Sequence, residues 1–172
     1  RTKSRFLARR WLHRRFFQRD ADALIVQTDD VNRRVRGFLA IEDVHTVTNN
    51  HGPWFTEPQA YPARLPPTDG AIKRLLTITS YYPHKNLELI PEVIRVLPRD
   101  VRDRVEFVLT LTEAEYQQYI GRLIPEQVRL IGPVPPPETP SLYNEVDALF
   151  HPTLAECFSA SYPEAMATGK PI

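Results

Sequence analysis

The feature that most constrains the fold is an alternation of apolar strands and helical segments along residues 73–172. Strands are predicted at 74–79, 105–111, 128–132 and 147–152, and helices at 86–97, 113–123, 141–146 and after the last strand. Strands that alternate with helices in this way are typical of an open parallel sheet with helices on both faces. The sequence therefore predicts an α/β fold with a Rossmann-like, doubly wound parallel sheet.

A shorter strand–helix–strand pattern precedes this region. Residues 21–28 and 44–50 are predicted strands, and Thr28 is the predicted N-cap of a helix that ends near Gly37. One such unit cannot bury both faces of its own sheet. We therefore expect partner strands upstream, and we interpret the chain as a fragment cut at both ends.

A proline-rich stretch separates the two patterns. Residues 52–70 contain five prolines, which is typical of a linker. The predicted division is 1–51 as the end of one domain, 52–72 as an interdomain linker, and 73–172 as a second, truncated domain.

The N-terminal segment is strongly basic. Residues 1–19 hold eight Lys and Arg and no acid, although the whole chain has a net charge of +1. Residues 3–18 predict an amphipathic helix, which either packs on a domain with its basic face in water or meets an anionic membrane or acidic substrate. Because the basic charge does not continue into the body, nucleic acid is not an expected partner. A single cysteine favours a reducing compartment.

In a doubly wound sheet, ligands bind beyond the carboxyl ends of the strands, here the loops 80–86, 132–138 and 151–164. Lys85 precedes a predicted helix, with Asn86 as its N-cap, which predicts a phosphate site. The alternative is an ordinary exposed lysine. No G-x-G-x-x-G follows any strand, and the histidines show no metal-ligand spacing.

Two carboxylates, Glu156 and Glu164, are separated by seven residues that carry no charge. Ser161 and Glu164 match a capping box, which by itself accounts for Glu164. No cap explains Glu156. The small residues 159–161 would let backbone amides approach a ligand closely, and carboxylates bind hydroxyl groups strongly. The pattern favours a polyhydroxylated ligand that also carries phosphate.

Three stretches of the sequence are recognisable together: "ADALIVQTDDV", "PHKNLELI" and "VRLIGPV" with the later "DALFHPTLAECFSASYPEAMATGKPI". From about residue 21 to 172 they resemble the group 1 glycosyltransferases (glycosyltransferase family 4), which are retaining enzymes of the GT-B fold. The resemblance implies a nucleotide-sugar donor, with UDP or GDP as its nucleotide, bound between two Rossmann-like domains without a metal or another cofactor.

The resemblance also implies roles for individual residues. Lys85 would neutralise the departing diphosphate, Glu156 would contact donor-sugar hydroxyls near the reacting carbon, and Glu164 would bind the ribose hydroxyls. Lys85 and Glu156 are thus the predicted catalytic residues. The predicted donor-binding residues are Lys85, Gly132, Pro133, Glu156, Cys157, Phe158, Ser159, Ala160, Ser161 and Glu164.

The implied reaction moves a hexose-type sugar to a glycan or lipid-linked acceptor, as in polysaccharide biosynthesis. It proceeds by front-side attack and rests on positioning and electrostatic stabilisation. Residues 1–51 would then be the remnant of the acceptor domain, and residues 73–172 the nucleotide-sugar domain. The resemblance implies a cytoplasmic protein, peripheral to the membrane if residues 1–19 bind anionic lipid, and a fragment that is inactive alone.

Two short stretches depart from the family pattern. Thr79 and Ser80 stand where the family often has Gly-Arg, which removes a second phosphate cation. Cys157-Phe158-Ser159 replaces Gly-Phe-Gly, which bears on the identity of the donor. Two alternatives therefore stay open: a catalytically inactive GT-B module that binds nucleotide or is structural, and an unrelated doubly wound nucleotide-binding domain.

Overall fold

A computed structural model describes residues 2–48 and 51–172 of the chain. The chain divides into two compact units, Arg1–Asn49 and Asn50–Ile172. Each unit contains one sheet, and every strand pair in both sheets is parallel. The predicted α/β class with parallel sheets is thus confirmed.

The first unit consists of α1 (Thr2–Asp20), β1 (Leu24–Val26), α2 (Asp29–Leu39) and β2 (Val44–Thr46). Strands β1 and β2 pair in parallel from Leu24 opposite Val44. The predicted cap is confirmed, because Thr28 Oγ1 accepts a hydrogen bond from the amide of Val31 at 3.2 Å. Helix α2 ends at Leu39 rather than near Gly37, and Ala40 follows it as the C-cap in a left-handed conformation.

The predicted amphipathic character of α1 is wrong. Its large apolar side chains are each at least 44% exposed, and they are those of Phe6, Leu7, Trp11, Leu12, Phe16 and Phe17. Successive helical residues are rotated by about 100°, so these side chains project on all sides, with arginines between them. Helix α1 consequently has no single apolar face.

The second unit contains a four-stranded sheet in the order β5-β4-β3-β6. Its elements in chain order are β3 (Lys73–Thr77), α3 (Leu89–Val96), α4 (Arg99–Arg102), β4 (Val105–Leu109), α5 (Glu113–Tyr119), β5 (Val128–Leu130), α6 (Thr139–Asn144), β6 (Ala148–Leu149) and α7 (Ser161–Ala167). Most elements are shorter than predicted, but each predicted strand and helix is present.

Apolar side chains fill both faces of this sheet. Leu76 and Val108 point to one face, where they pack with residues of α6 and α7 such as Leu142 and Ala165. Phe107 and Leu109 point to the other face and pack with residues of α3 and α5. Because alternate residues of one strand enter two separate cores, the sheet is covered on both sides, as a doubly wound fold requires.

An ion cluster lies at the amino ends of the strands. The side chain of Arg74 in β3 is only 6% exposed and donates from Nε to Glu106 Oε2 in β4 at 2.9 Å. Arg129 in β5 donates to the other oxygen of Glu106 at 2.6 Å. The remaining nitrogens of Arg74 reach the carbonyls of Glu145 and Pro66. Each charged group in this amino-end cluster therefore has a partner.

The proline-rich segment packs on the second unit. Leu65 is buried in its core, and the Glu145 carboxylate accepts hydrogen bonds from the amides of Arg64 and Leu65. The Arg64 guanidinium also donates to Glu138. The contacts assign residues 51–72 to the same compact unit as the sheet. The division into acceptor-domain remnant, linker and donor domain stays a prediction.

None of the helices in residues 2–48 and 51–172 combines the length and hydrophobicity that a bilayer span requires.

Candidate functional site

The sheet order creates a switch point between β3 and β6. From β3 the chain moves through β4 to β5 on one side, and it then returns to place β6 on the other side of β3. The loops that follow two such strands diverge and leave a crevice at their carboxyl ends, which is where open α/β sheets bind ligands. Here these loops are residues 78–88 and 150–160.

Hydrogen bonds join the two loops at this crevice. The His84 carbonyl accepts from the amide of Leu154 at 2.8 Å and from Thr153 Oγ1 at 3.1 Å. Asn86 Nδ2 donates to the carbonyl of Pro152 at 3.2 Å. Asn86 was predicted to cap a helix, but it adopts a left-handed φ of 55° after the 3₁₀ turn Pro83–Lys85, and α3 begins only at Leu89. Lys85 is therefore held by a loop–loop contact.

Lys85 and Glu156 form the central ion pair of the site. Lys85 Nζ lies 2.5 Å from Glu156 Oε1, and the two side chains are 16% and 17% exposed. Thr153 Oγ1 lies 3.1 Å from the same carboxylate oxygen, so its single proton is shared between Glu156 and the His84 carbonyl. Burial alone would raise the pKa of Glu156, but Lys85 and then Thr153 more than offset it and hold the pKa below its usual value. The Glu156 side chain is thus an ionised carboxylate that is held in one orientation and accepts hydrogen bonds.

His151 is the third member of this carboxyl-end cluster. Its side chain is 3% exposed, and Nε2 lies 3.5 Å from Glu156 Oε1. The ring packs edge-to-face on Tyr162 at 5.0 Å between centroids. Burial, and then the charge of Lys85, lower the pKa of His151, while Glu156 opposes this shift. The imidazole is therefore neutral near pH 7.

Glu164 lies in the first turn of α7 and contacts a different residue. Tyr143 Oη lies 3.4 Å from Glu164 Oε2 and 3.3 Å from the Ser161 carbonyl. Among the described residues, Glu164 makes no hydrogen bond or ion pair with Lys85 or Glu156. Burial raises the pKa of Glu164, although Tyr143 and the nearby His51 oppose the rise.

The capping box predicted at Ser161 and Glu164 is wrong. Ser161 is already the first helical residue of α7, Ala160 occupies the N-cap, and no side chain caps the helix. The Glu164 carboxylate instead faces the Tyr143 hydroxyl, whose single proton it shares with the Ser161 carbonyl. A capping box does form elsewhere, at Thr112 and Glu115, where Thr112 Oγ1 accepts from the Glu115 amide at 3.2 Å.

The remaining predicted donor-binding residues lie in the loops after β5 and β6. Gly132 has a φ of 70°, which favours glycine, and its amide donates to the Leu111 carbonyl at 3.0 Å, while Pro133 beside it is exposed. Ser159 and Ser161 are buried, Phe158 and Ala160 are partly buried, and Cys157 is exposed. The amides of residues 157–161 donate to no acceptor among the described residues.

Three residues of the site are not among the site residues predicted from the sequence. Thr153 and His151 contact Glu156, and the buried Tyr143 contacts Glu164. The sequence contains a signal for Thr153 and His151, because both lie between β6 and Glu156 in the same loop. No sequence signal points to Tyr143, because it precedes Glu164 by 21 residues and belongs to another helix. In residues 2–48 and 51–172, no group of three His, Cys, Asp or Glu side chains is placed to hold a metal ion.

Comparisons with known proteins agree with this architecture. One solved structure is a mutant of TarM from S. aureus in complex with fondaparinux, alpha-GlcNAc-glycerol and UDP, with a TM-score of 0.65 and 16% identity over 90% of this chain and 30% of that one. Another is WaaG, a glycosyltransferase involved in lipopolysaccharide biosynthesis, with a TM-score of 0.66 and 16% identity over 86% of this chain and 42% of that one. These likenesses confirm the predicted GT-B type of fold.

The chain spans less than half the length of either structure. No curated protein sequence matches it. The family model described as "Glycosyl transferases group 1" matches residues 72–172, which is more than half of the chain and includes the whole four-stranded sheet and its switch point. The chain therefore belongs to the group 1 glycosyl transferases.

Proposed function

We propose that this chain is the donor-binding part of a retaining glycosyltransferase. The complete enzyme would move a hexose-type sugar from a nucleotide-diphosphate sugar to a glycan or lipid-linked acceptor. The observation that carries the proposal is the Lys85–Glu156 pair at the switch point of the sheet. It supplies a cation for phosphate and a carboxylate for hydroxyl groups within one crevice.

Lys85 is the proposed diphosphate ligand. Its ammonium is mostly buried and has one carboxylate partner, so it can turn to a phosphate oxygen without losing many contacts. In a site with limited water, one ammonium stabilises the charge that develops on a departing diphosphate. We propose that it does so without a metal ion, with the amides of residues 157–161 as further donors.

Glu156 is the proposed ligand of the donor sugar. Every hydrogen bond that it makes to described residues uses Oε1. Oε2 is left for a sugar hydroxyl, and the lowered pKa keeps the carboxylate charged. Glu156 and Lys85 are in contact, so a sugar held by one would place its diphosphate near the other. This arrangement would favour attack on the same face from which the diphosphate departs.

Glu164 is the proposed ligand of the ribose. It is partly buried beside Tyr143, and its raised pKa reflects the free-energy cost of burying its charge. Two ribose hydroxyls would supply the donors that this carboxylate lacks. UDP and GDP are the proposed nucleotides, and UDP is present in the TarM complex.

The alternative is a catalytically inactive module that keeps the fold and either binds nucleotide or is structural. Thr79 and Ser80, in place of a second basic residue, favour it. A nucleotide-binding module would bind the nucleotide sugar without transferring the sugar, and we also expect this chain alone to be inactive.

The test measures nucleotide binding to the full-length protein by calorimetry and thermal shift, with UDP, GDP and ADP sugars, in the presence and absence of EDTA. One nucleotide should bind and raise the Tm, and EDTA should not change its affinity. Lys85→Met and Glu164→Gln should each weaken binding about tenfold or more. Lys73→Met is the matched control, because Lys73 is exposed at the other end of β3 and pairs with Asp147.

Transfer and retention need a separate assay. The full-length enzyme should form a glycoside with the same anomeric configuration as the donor, as read by NMR. Binding without transfer to any glycan or lipid-linked acceptor would support the inactive module. Failure of every nucleotide sugar to bind would contradict the proposed enzyme and the nucleotide-binding module, and it would favour a structural module.

A peripheral membrane contact through residues 1–19 is a further proposal for the cytoplasmic enzyme. The exposed aromatic rings of α1, such as Trp11 and Phe16, lie among arginines. This composition favours anionic lipid headgroups. The full-length protein should sediment with vesicles that contain anionic lipid and not with neutral vesicles, and replacing the arginines of α1 by Gln should abolish the difference.

A further inference from the structure

His151 has a buried nitrogen that makes no hydrogen bond to the described residues. Its side chain is 3% exposed, yet Nε2 accepts or donates no hydrogen bond among the described residues. Buried polar atoms are nearly always hydrogen-bonded, so an exception at a candidate site calls for an explanation. The edge-to-face contact with Tyr162 fixes the ring, which keeps Nε2 directed toward Glu156.

The charged groups around the imidazole are few. Glu156 faces it from the same loop, and Lys85 reaches the cluster from the loop after β3. From α7 the neighbour is Tyr162, which contributes a neutral ring. Glu156 Oε1 is therefore the common point of the cluster, with Lys85 at 2.5 Å and His151 Nε2 at 3.5 Å.

A diphosphate would disturb this balance of charge. Lys85 is the only Lys or Arg in the sequence segments that follow the four strands, residues 78–86, 110–112, 131–138 and 150–160. One ammonium cannot neutralise both the diphosphate and Glu156. If Lys85 turns to the phosphates, Glu156 loses its strongest donor while it is still mostly buried, and an ionised carboxylate in that position needs another.

We propose that His151 takes up one proton from solvent when a diphosphate engages Lys85, and that its Nε2–H then holds the Glu156 carboxylate in place. This inference rests on the proposed function and deepens it. His151 is too buried to touch the donor and acts through Glu156, so it is a positioning residue. The proton also supplies the second positive charge that the strand-end loops lack.

The coupling has a definite sign. In the free protein His151 is neutral, because burial and Lys85 lower its pKa. In the complex the charge of Lys85 is shared with the diphosphate, which raises the pKa of His151. A group whose pKa is higher in the complex binds its proton together with the ligand, so the donor binds more tightly as the pH falls between the two values. One coupled proton gives at most about tenfold in affinity per pH unit.

The experiment measures donor binding to the full-length protein by calorimetry between about pH 5.5 and 8. The probe is a nucleotide-diphosphate sugar, UDP-glucose or GDP-mannose, whose diphosphate does not titrate in this range. Runs in buffers of different ionisation enthalpy give the number of protons taken up. For each donor bound, wild-type protein should take up a fraction of a proton, and this fraction should approach one at pH values between the two pKa values of His151. The affinity for the donor should increase as the pH falls.

Two substitutions separate charge from positioning. His151→Phe keeps the ring on Tyr162 and should abolish proton uptake and weaken donor binding about tenfold. His151→Gln should also abolish proton uptake. Its affinity for the donor near pH 8 should be close to that of the wild type, because its neutral amide can donate a hydrogen bond to Glu156. His84→Phe is the matched control in the loop after β3, where His84 stacks on Tyr82 at the surface, and it should keep the uptake.

The outcomes distinguish this inference from the proposed function. Donor binding without proton uptake, or uptake that persists in a folded His151→Phe protein, would overturn the inference alone. Failure of every nucleotide sugar to bind would overturn the proposed function and the inference with it. Should His151→Phe not fold, NMR of isotope-labelled histidine in the wild type decides, since the His151 pKa must rise when the donor is added.

Discussion

The second unit contains two buried charge clusters, one at each end of the same sheet, and they are built differently. In the amino-end cluster (Arg74, Glu106 and Arg129) both carboxylate oxygens and every nitrogen of Arg74 that faces the protein have partners. In the carboxyl-end cluster (Lys85, Glu156 and His151) the contacts converge on one oxygen, and a buried histidine nitrogen makes no hydrogen bond to the described residues.

The difference separates a structural role from a binding role. A buried charge whose hydrogen bonds are all made within the protein holds elements together and has nothing to offer a ligand. A cluster with unused donors and acceptors is less well satisfied alone and gains contacts when a ligand arrives. The position of the second cluster, at the switch point, is also where this fold binds ligands.

The largest effect on stability is expected from Arg74→Met. It leaves Glu106 with one partner in a mostly buried site and leaves two carbonyls without donors, so the free energy of unfolding should fall by about 3 kcal/mol. Denaturant titration of the full-length protein measures this. Nucleotide affinity should not change in the folded fraction, and a loss below about 1 kcal/mol would contradict a structural role for the cluster.

Lys85→Met should reduce the stability less than Arg74→Met does and should weaken nucleotide binding more. The free energy of unfolding should fall by about 1 kcal/mol, because Glu156 keeps Thr153 and some solvent, whereas nucleotide binding should weaken about tenfold or more. The pKa of Glu156 is below 4.5 in the folded protein, so its stabilising contribution is present above pH 4.5 and disappears as the pH falls through the lowered value. The stability difference between wild type and Lys85→Met should therefore shrink below pH 4.5.

Glu164→Gln should stabilise the protein near pH 7. Burial raises the pKa of Glu164 above 4.5, so ionisation is less favourable in the folded than in the unfolded state, and the stability of the wild type decreases as the pH rises from 4.5 through the raised value. The neutral amide removes this cost and keeps an oxygen near Tyr143. Thermal unfolding at pH 7 and pH 4 should show a gain that is present at pH 7 and absent at pH 4. A destabilised variant at pH 7 would contradict a purely electrostatic cost.

Arg129→Ala should have the smallest effect of the four. The Arg129 side chain is 41% exposed, and Glu106 keeps its bond to Arg74, so the loss should be below about 1 kcal/mol. Denaturant titration beside Arg74→Met tests whether the buried member dominates the amino-end cluster. Equal losses for the two variants would show that it does not.

The sequence predicted the fold better than the contacts within it. Strand–helix alternation was enough for the parallel sheet, and the rule on carboxyl ends was enough to expect Lys85 and Glu156 in one crevice. The same pattern contained a signal for the amino-end cluster, because Arg74 and Glu106 are each the second residue of a strand and pair in register. That signal was not used.

Other contacts depended on geometry that the sequence does not contain. Ser161 and Glu164 have the right spacing for a capping box, but α7 begins one residue too early for Ser161 to cap it. The pairing of Tyr143 with Glu164 depends on how α6 and α7 pack on one face of the sheet. The predicted apolar face of α1 failed because its apolar pairs recur every five residues, which rotates each pair by about 140° from the one before.

The packing of the proline-rich segment has a practical consequence for anyone who wants to express the donor-binding unit alone. The family match begins at residue 72, which makes that position an inviting place to start a truncated protein. A start there would remove Leu65 from the core, leave Glu145 without its backbone amides, and deprive Arg74 of the Pro66 carbonyl. Starting before Gln59, whose carbonyl accepts from Ser141, keeps these anchors and is the better boundary for a soluble, crystallisable product.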